Sequence, residues 1–129
     1  MAPRNPPGTP RINTGHDIGY QCVNQKCNST ALALGAVNYD NWTCPGCDQP
    51  VHVEIGYGTN LTKWVRRICA EDVISGIDQM YLPHLFEIAH LVTTSKMGQG
   101  KAHAFVWRLY LNGYGWLNRM PKEYVDVVP

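Results

Sequence analysis

A chain of 129 residues, 44% hydrophobic and 16% charged, has room for one ordinary domain or two very small ones, and should fold behind a thinly charged surface. No apolar run approaches the roughly 20 residues that a membrane-spanning helix needs. A formal net charge of +1 exerts no strong long-range pull on phosphates, so any nucleic-acid contact has to come from a local basic patch.

Residues 1–15 are rich in Pro, Gly and Asn and carry only Arg4 and Arg11 as charges, which predicts a flexible leader. The leader lacks the apolar core of a secretory signal, so the expected compartment is the cytoplasm, where thiols stay reduced. Residues 16–58 read as β structure. Residues 18–22 form a strand candidate, and Val51, Val53 and Ile55 alternate with His52 and Glu54 at the period of a half-buried strand. In residues 59–122 the period changes. Leu61, Trp64, Val65, Ile68 and Cys69 recur three and four apart, which predicts one face of a helix. Val73, Ile74, Ile77, Met80 and Tyr81 continue helically past a break at Ser75-Gly76. Pro83 suits the first turn of a further helix, carrying Leu85, Phe86, Ile88, Ala89, Leu91 and Val92 and reaching about Ser95. Beyond a Gly-containing loop, Phe105, Trp107, Leu109 and Leu111 alternate with other residues up to Asn112-Gly113. That dipeptide predicts a hairpin completed by residues 114–119, because both positions tolerate a positive φ. Residues 123–129 are left as a tail.

The cysteines carry the strongest chemical signal. Cys22 and Cys27 are separated by four residues, sixteen follow, and Cys44-Pro45-Gly46-Cys47 closes the set. Proline stiffens such a turn and glycine permits its tight geometry, so both sulfurs can aim at one centre. Five cysteines, an odd number, fit four ligands and a spare better than a disulfide framework. Four thiolates make a closed tetrahedral site with no open position for water, which points to one structural zinc ion and away from catalysis at the metal. His16 and His52 are ordinary histidines on this reading, and Cys69 packs as a small hydrophobe. With four thiolates and Zn2+ the net charge becomes about −1. Residues 20–56 thus resemble the zinc ribbons, in which two cysteine pairs on β-hairpin turns clamp one zinc. Cys44-Pro45-Gly46-Cys47 fits the common knuckle of that group, whereas the first pair has four intervening residues instead of two.

Helix, break, helix, loop and hairpin over residues 60–120 resemble a winged helix in element order. The resemblance implies that the helix from Pro83 approaches the major groove and that the hairpin at Asn112-Gly113 is the wing. Lys96, Lys101, His103, Arg108 and Arg119 would then face phosphates, supported by Lys63, Arg66 and Arg67. Residues 60–129 hold eight Lys and Arg against six Asp and Glu, and residues 1–59 three against four, so basic character lies mildly in the second half. The implied recognition helix offers no Arg, Asn or Gln to read bases. The aromatics Trp107, Tyr110, Tyr114, Trp116 and Tyr124 suit stacking on single-stranded bases or anchoring a protein interface, although at least half should be core. His84, Glu87 and His90 lack the spacing of a zinc protease, and no nucleophile or phosphate loop is assembled, so the chain is not expected to be an enzyme.

The expected fold class is α+β: a small antiparallel β zinc ribbon followed by two to three helices and a β-hairpin, winged-helix-like. The expected function is a zinc-binding, nucleic-acid-binding regulator with DNA or RNA as partner and no membrane association. The alternative is a protein-binding adaptor or inhibitor that engages a protein partner through Trp116 and its neighbours.

Overall fold

The computed structural model describes residues 12–24, 27, 37–38, 41–56, 61–82, 87–101 and 105–129. The chain divides into two compact units, Met1–Trp64 and Val65–Pro129. In the first unit, β1 (Asp17–Cys22) pairs antiparallel with β2 (Val51–Gly56), placing Tyr20 opposite Val53 and Cys22 opposite Val51. The alternation along β2 decides its two faces: Val51, Val53 and Ile55 are buried, His52 and Glu54 half-buried. Trp42, 1% exposed, stacks on Tyr20 at 6.1 Å between ring centres and supplies the largest apolar side chain of this core.

The second unit is built from β3 (Thr62–Cys69, which begins just before the boundary), β4 (Gln79–Met80), β5 (His90–Met97), β6 (Trp107–Leu111), β7 (Gly115–Arg119) and β8 (Tyr124–Val127). Their order is β3-β8-β4-β5-β6-β7, each neighbouring pair antiparallel. The last strand of the chain therefore lies between β3 and β4. Ala70, Val73, Met80, Leu82, Val92, Leu109, Leu111, Val125 and Val127 form the buried core, with Ile68, Trp107 and Leu117 packed against it.

The expected α+β class, with its winged helix, is overturned. Among the described residues the fold is nearly all β, the helical positions are the 3-10 turn Ala70–Asp72 and Lys101, and no helix reaches seven residues. Three local causes explain the difference. The first expected helix is β3, where Val65 and Arg67 are both buried; a charged side chain at an inward position hid the two-residue period. Over the second, the chain turns at residues 74–78. The Asp78 carboxylate accepts a hydrogen bond from the Ile74 amide at 2.7 Å, and Gly76 at φ +80° carries the reversal before β4. Of the third, residues 83–86 lie outside the described residues, residues 87–89 are not helical and β5 begins at His90. Its Val92-Thr93-Thr94 run favours an extended chain, since branched β-carbons pack well on a pleated surface.

The hairpin at Asn112-Gly113 is present as β6 and β7, closed by a hydrogen bond from the Tyr114 amide to the Leu111 carbonyl at 3.0 Å. Residues 123–129, read as a tail, contain β8, whose Tyr124, Val125 and Val127 are buried. The leader reading falls mostly on residues 1–11, outside the described residues. No helix among the described residues is long and apolar enough to cross a membrane.

Candidate functional site

Two turns of the first unit bring four cysteines together. Cys22 ends β1, and beyond it the Cys27 amide donates to the Asn24 carbonyl at 3.0 Å, curling the chain back. The second turn is tighter. The Asp48 amide donates to the Cys44 carbonyl and the Cys44 amide to the Gln49 carbonyl, both at 2.8 Å, while Asp48 takes φ +60° to close the loop. The Gly46 amide points inward and donates to Cys44 Sγ at 3.4 Å. An amide so placed stabilises thiolate charge. The two turns are locked together where the Val23 amide reaches the Pro50 carbonyl at 3.2 Å and Cys22 sits opposite Val51.

The result is a compact sulfur cluster. Cys22 Sγ lies 3.4 Å from Cys47 Sγ, Cys27 Sγ lies 3.7 Å from Cys44 Sγ, and all four sulfurs fall within 4.8 Å of one another. A tetrahedral tetrathiolate site with metal–sulfur bonds near 2.3 Å has its sulfurs about 3.8 Å apart. The four side chains therefore fit one metal ion with little rearrangement, and Cys22 and Cys44 are buried while Cys27 and Cys47 are half-buried. The thiols are not equivalent. Burial pushes Cys22 up to about 12, whereas Cys47, chiefly through a hydrogen bond from the Gln49 backbone amide, is lowered to about 7. Cys47 is thus the first to offer a thiolate, and Cys22 needs an incoming cation to displace its proton.

The second unit gathers a different set of side chains. On β5, β6 and β7 the register sets Thr94 opposite Tyr110 and Lys96 opposite Arg108, then Tyr110 opposite Trp116 and Arg108 opposite Asn118. Leu109 and Leu111, one residue out of phase, are buried, so the named residues share the outer face. There the Arg108 guanidinium lies 4.2 Å from the centre of the Trp116 ring and Lys96 Nζ lies 6.0 Å away. Tyr110 meets the Trp116 ring edge-on at 5.1 Å. Arg108 Nε also donates to Asn118 Oδ1 at 3.2 Å.

The candidate contact residues consequently divide. Lys96, Arg108 and Trp116 come together on this face, and Lys101, in 3-10 conformation, is exposed ahead of β6. Arg119 on β7 is 3.9 Å from Glu123, and Arg66 on β3 is 3.5 Å from Asp78. Lys63 is half-buried on β3. Arg67 is not a surface cation: its side chain is 1% exposed and its Nε donates to Asp126 Oδ1 at 2.8 Å. Of the aromatics, Tyr124 is buried and Trp107 donates its indole N–H to Ser95 Oγ at 2.9 Å, whereas Tyr110, Tyr114 and Trp116 are exposed.

One signal was available in the sequence and passes unnoticed when charge is counted by halves. From Ile88 to Lys122 the chain holds five Lys and Arg and not one Asp or Glu. Among the described residues Lys96, Lys101 and Arg108 make no ion pair, while Arg119 and Lys122 face Glu123 and Glu71. No protein-family model, curated protein or solved structure matches the chain.

Proposed function

We propose that the protein is a small nucleic-acid-binding module whose first unit is held by one structural zinc ion. The metal half of this reading rests on the four convergent sulfurs. An all-thiolate donor set with no oxygen donor suits zinc over magnesium or calcium, and a closed four-ligand arrangement suits structure over catalysis. Zinc would be held by Cys22, Cys27, Cys44 and Cys47 in a ribbon-like pair of knuckles. Its binding would add to a core that, among the described residues, consists of Tyr20, Val37, Trp42, Val51, Val53 and Ile55 beside the cysteines. The nucleic-acid half rests on the acid-free stretch 88–122. An exposed surface with unpaired cations and no carboxylate of its own suits phosphates.

The test has two parts. Metal analysis of protein purified without added metal should return one zinc per chain, and Cys44→Ser should abolish it. Cobalt substitution should give the intense visible bands of a tetrahedral thiolate site. Binding of labelled oligonucleotides by the zinc-loaded chain should weaken as salt rises, and Arg108→Ala and Lys101→Ala should each reduce it. An unchanged affinity across the salt series would remove phosphate contact from the account. Exposure of Trp116 at 45% also favours the adaptor reading. That reading expects a protein complex insensitive to the two charge removals and lost with Trp116→Ala.

A further inference from the structure

Resting on the nucleic-acid reading, we infer that the outer face of β5–β6–β7 is a stacking platform for single-stranded nucleic acid, with Trp116 and Tyr110 receiving bases and Lys96 and Arg108 meeting the backbone. Three observations support this placement. The rings are exposed although the sheet beneath them has a full core: Trp116 is 45% and Tyr110 37% exposed, while Leu109 and Leu111 below are fully buried. The rings are therefore not needed to cover the core. Secondly, their surroundings are cationic and polar throughout, with Lys96, Arg108, Asn118 and Thr94 on the same face and no acid on any of the three strands. Thirdly, the arrangement already contains a stack, since the Arg108 guanidinium lies on the Trp116 indole at 4.2 Å. Bases add to aromatic and guanidinium planes alike, because every base has a π-face.

Strandedness follows from shape. Reading duplex DNA requires an element that enters a groove, most often a helix. Among the described residues no helix of seven or more residues exists. The face in question is the broad side of three paired strands, where the bases of a duplex, stacked inside it, do not reach Trp116 and Tyr110 but those of an unpaired strand can. Tyr110 and Trp116 sit directly opposite each other on β6 and β7, and Arg108 and Asn118 form the adjacent opposite pair. A strand laid along the hairpin thus meets rings at one step and cation with amide at the next. The amide of Asn118 accepts from Arg108 at 3.2 Å and keeps its own N–H2 to offer to a base edge or phosphate.

The experiment uses full-length, zinc-loaded protein and three fluorescein-labelled probes of about 20 nucleotides: oligo-dT, oligo-U and a self-complementary hairpin duplex, a length within reach of a small binding surface. Anisotropy titrations should show one or both single strands binding at least tenfold tighter than the duplex, the two arms deciding between DNA and RNA. Trp116→Ala should weaken single-strand binding roughly tenfold, the loss expected of one stacked base. Trp116→Phe, which keeps a ring, should recover most of it. Lys96→Gln with Arg108→Gln should lower the salt slope by roughly 1.4, from two phosphate contacts at about 0.7 each. Retained zinc content and an unchanged β circular dichroism spectrum would establish that each variant is folded. Duplex bound as tightly as single strands, or Trp116→Ala binding as well as the parent, would overturn this surface while leaving the nucleic-acid reading standing. No binding of any probe at low salt would overturn both.

Discussion

Removing the carboxylate of Asp126 tests which cations of the chain belong to its surface. Arg67 and Asp126 are directly opposite on β3 and β8, with Nε 2.8 Å from Oδ1. Their environments differ: the Arg67 side chain is 1% exposed and that of Asp126 is 16% exposed. Asp126→Ala therefore takes a carboxylate partner from a guanidinium shielded from water, and breaking a buried pair in this way costs up to about 3–5 kcal/mol. Arg67→Met leaves a carboxylate with partial access to solvent and replaces the stem with apolar volume, so the cost should fall to about 1–3 kcal/mol. Arg67→Met with Asp126→Ala removes both charges and should cost well under the sum of the two single changes, because desolvation of the pair is relieved along with its attraction. Urea unfolding of the zinc-loaded chain at neutral pH, followed by circular dichroism, measures all four corners of the cycle. A coupling energy of about 2 kcal/mol or more is expected for partners in direct contact. If Asp126→Ala costs less than about 1 kcal/mol, or the two single effects add to within about 0.5 kcal/mol, Asp126 is not what holds the guanidinium in place.

Other expectations follow from single contacts. Zinc should leave as the solution is acidified, because each ligand must be a thiolate and protons compete for it. A chromophoric chelator should report release growing between neutral and mildly acid pH, and full retention at strongly acid pH would contradict a thiolate site. Asp78→Ala removes the acceptor for the Ile74 amide, and a turn that loses such a cap should cost about 1 kcal/mol in urea unfolding. An unchanged midpoint would show that the amide finds water instead. Gly115→Ala places a β-carbon at φ +119°, where L-residues are strained by about 1–3 kcal/mol. Thermal unfolding should report that loss, and a wild-type midpoint would mean that the β6–β7 turn relaxes freely.

The parts of the fold legible in the sequence are those whose period was undisturbed. Val51, Val53 and Ile55 alternate cleanly and form β2, and the alternation from Trp107 to Leu111 followed by Asn112-Gly113 forms a tight hairpin. β3 was illegible for a physical reason. Strands buried on alternate positions normally show apolar residues there, but Arg67 occupies one and is neutralised by a partner 59 residues away. No local pattern encodes such a pair. Trp64, Val65, Ile68 and Cys69 then read as a helical stripe, although tryptophan and branched residues pack readily in strands. β5 failed similarly, since its register shift between Val92 and Thr94 breaks the two-residue period within the strand itself. The four-cysteine cluster fared better because its information is local: Cys44-Pro45-Gly46-Cys47 builds its turn from its own residues, the turn after Cys22 brings in Cys27, and the β1–β2 pairing sets the two turns side by side. The outer face of β5–β6–β7 needed that same kind of long-range register and so stayed hidden, even though its aromatics were conspicuous.

A near-neutral net charge argued against nucleic acid, and the distribution of charge answers that objection only in part. Most cations of the second unit are engaged: Arg66 with Asp78, Arg67 with Asp126, Arg119 with Glu123 and Lys122 with Glu71. Among the described residues of stretch 88–122, Lys96, Lys101 and Arg108 remain without an ion pair. Three phosphate contacts on a single strand give a slope of about −2 for the logarithm of affinity against that of salt. Between 50 and 200 mM salt the affinity should then fall roughly 20-fold, far less than the roughly 10³–10⁵ of proteins with a dense basic surface. On the proposed reading phosphate attraction alone would not suffice, and stacking on Trp116 and Tyr110 would supply a comparable share of the affinity. A measured slope near −2 with a strong dependence on Trp116 fits that balance. A slope steeper than about −4 would require cations beyond these three. Arg4, Arg11 and Lys26 would be the first to replace with glutamine.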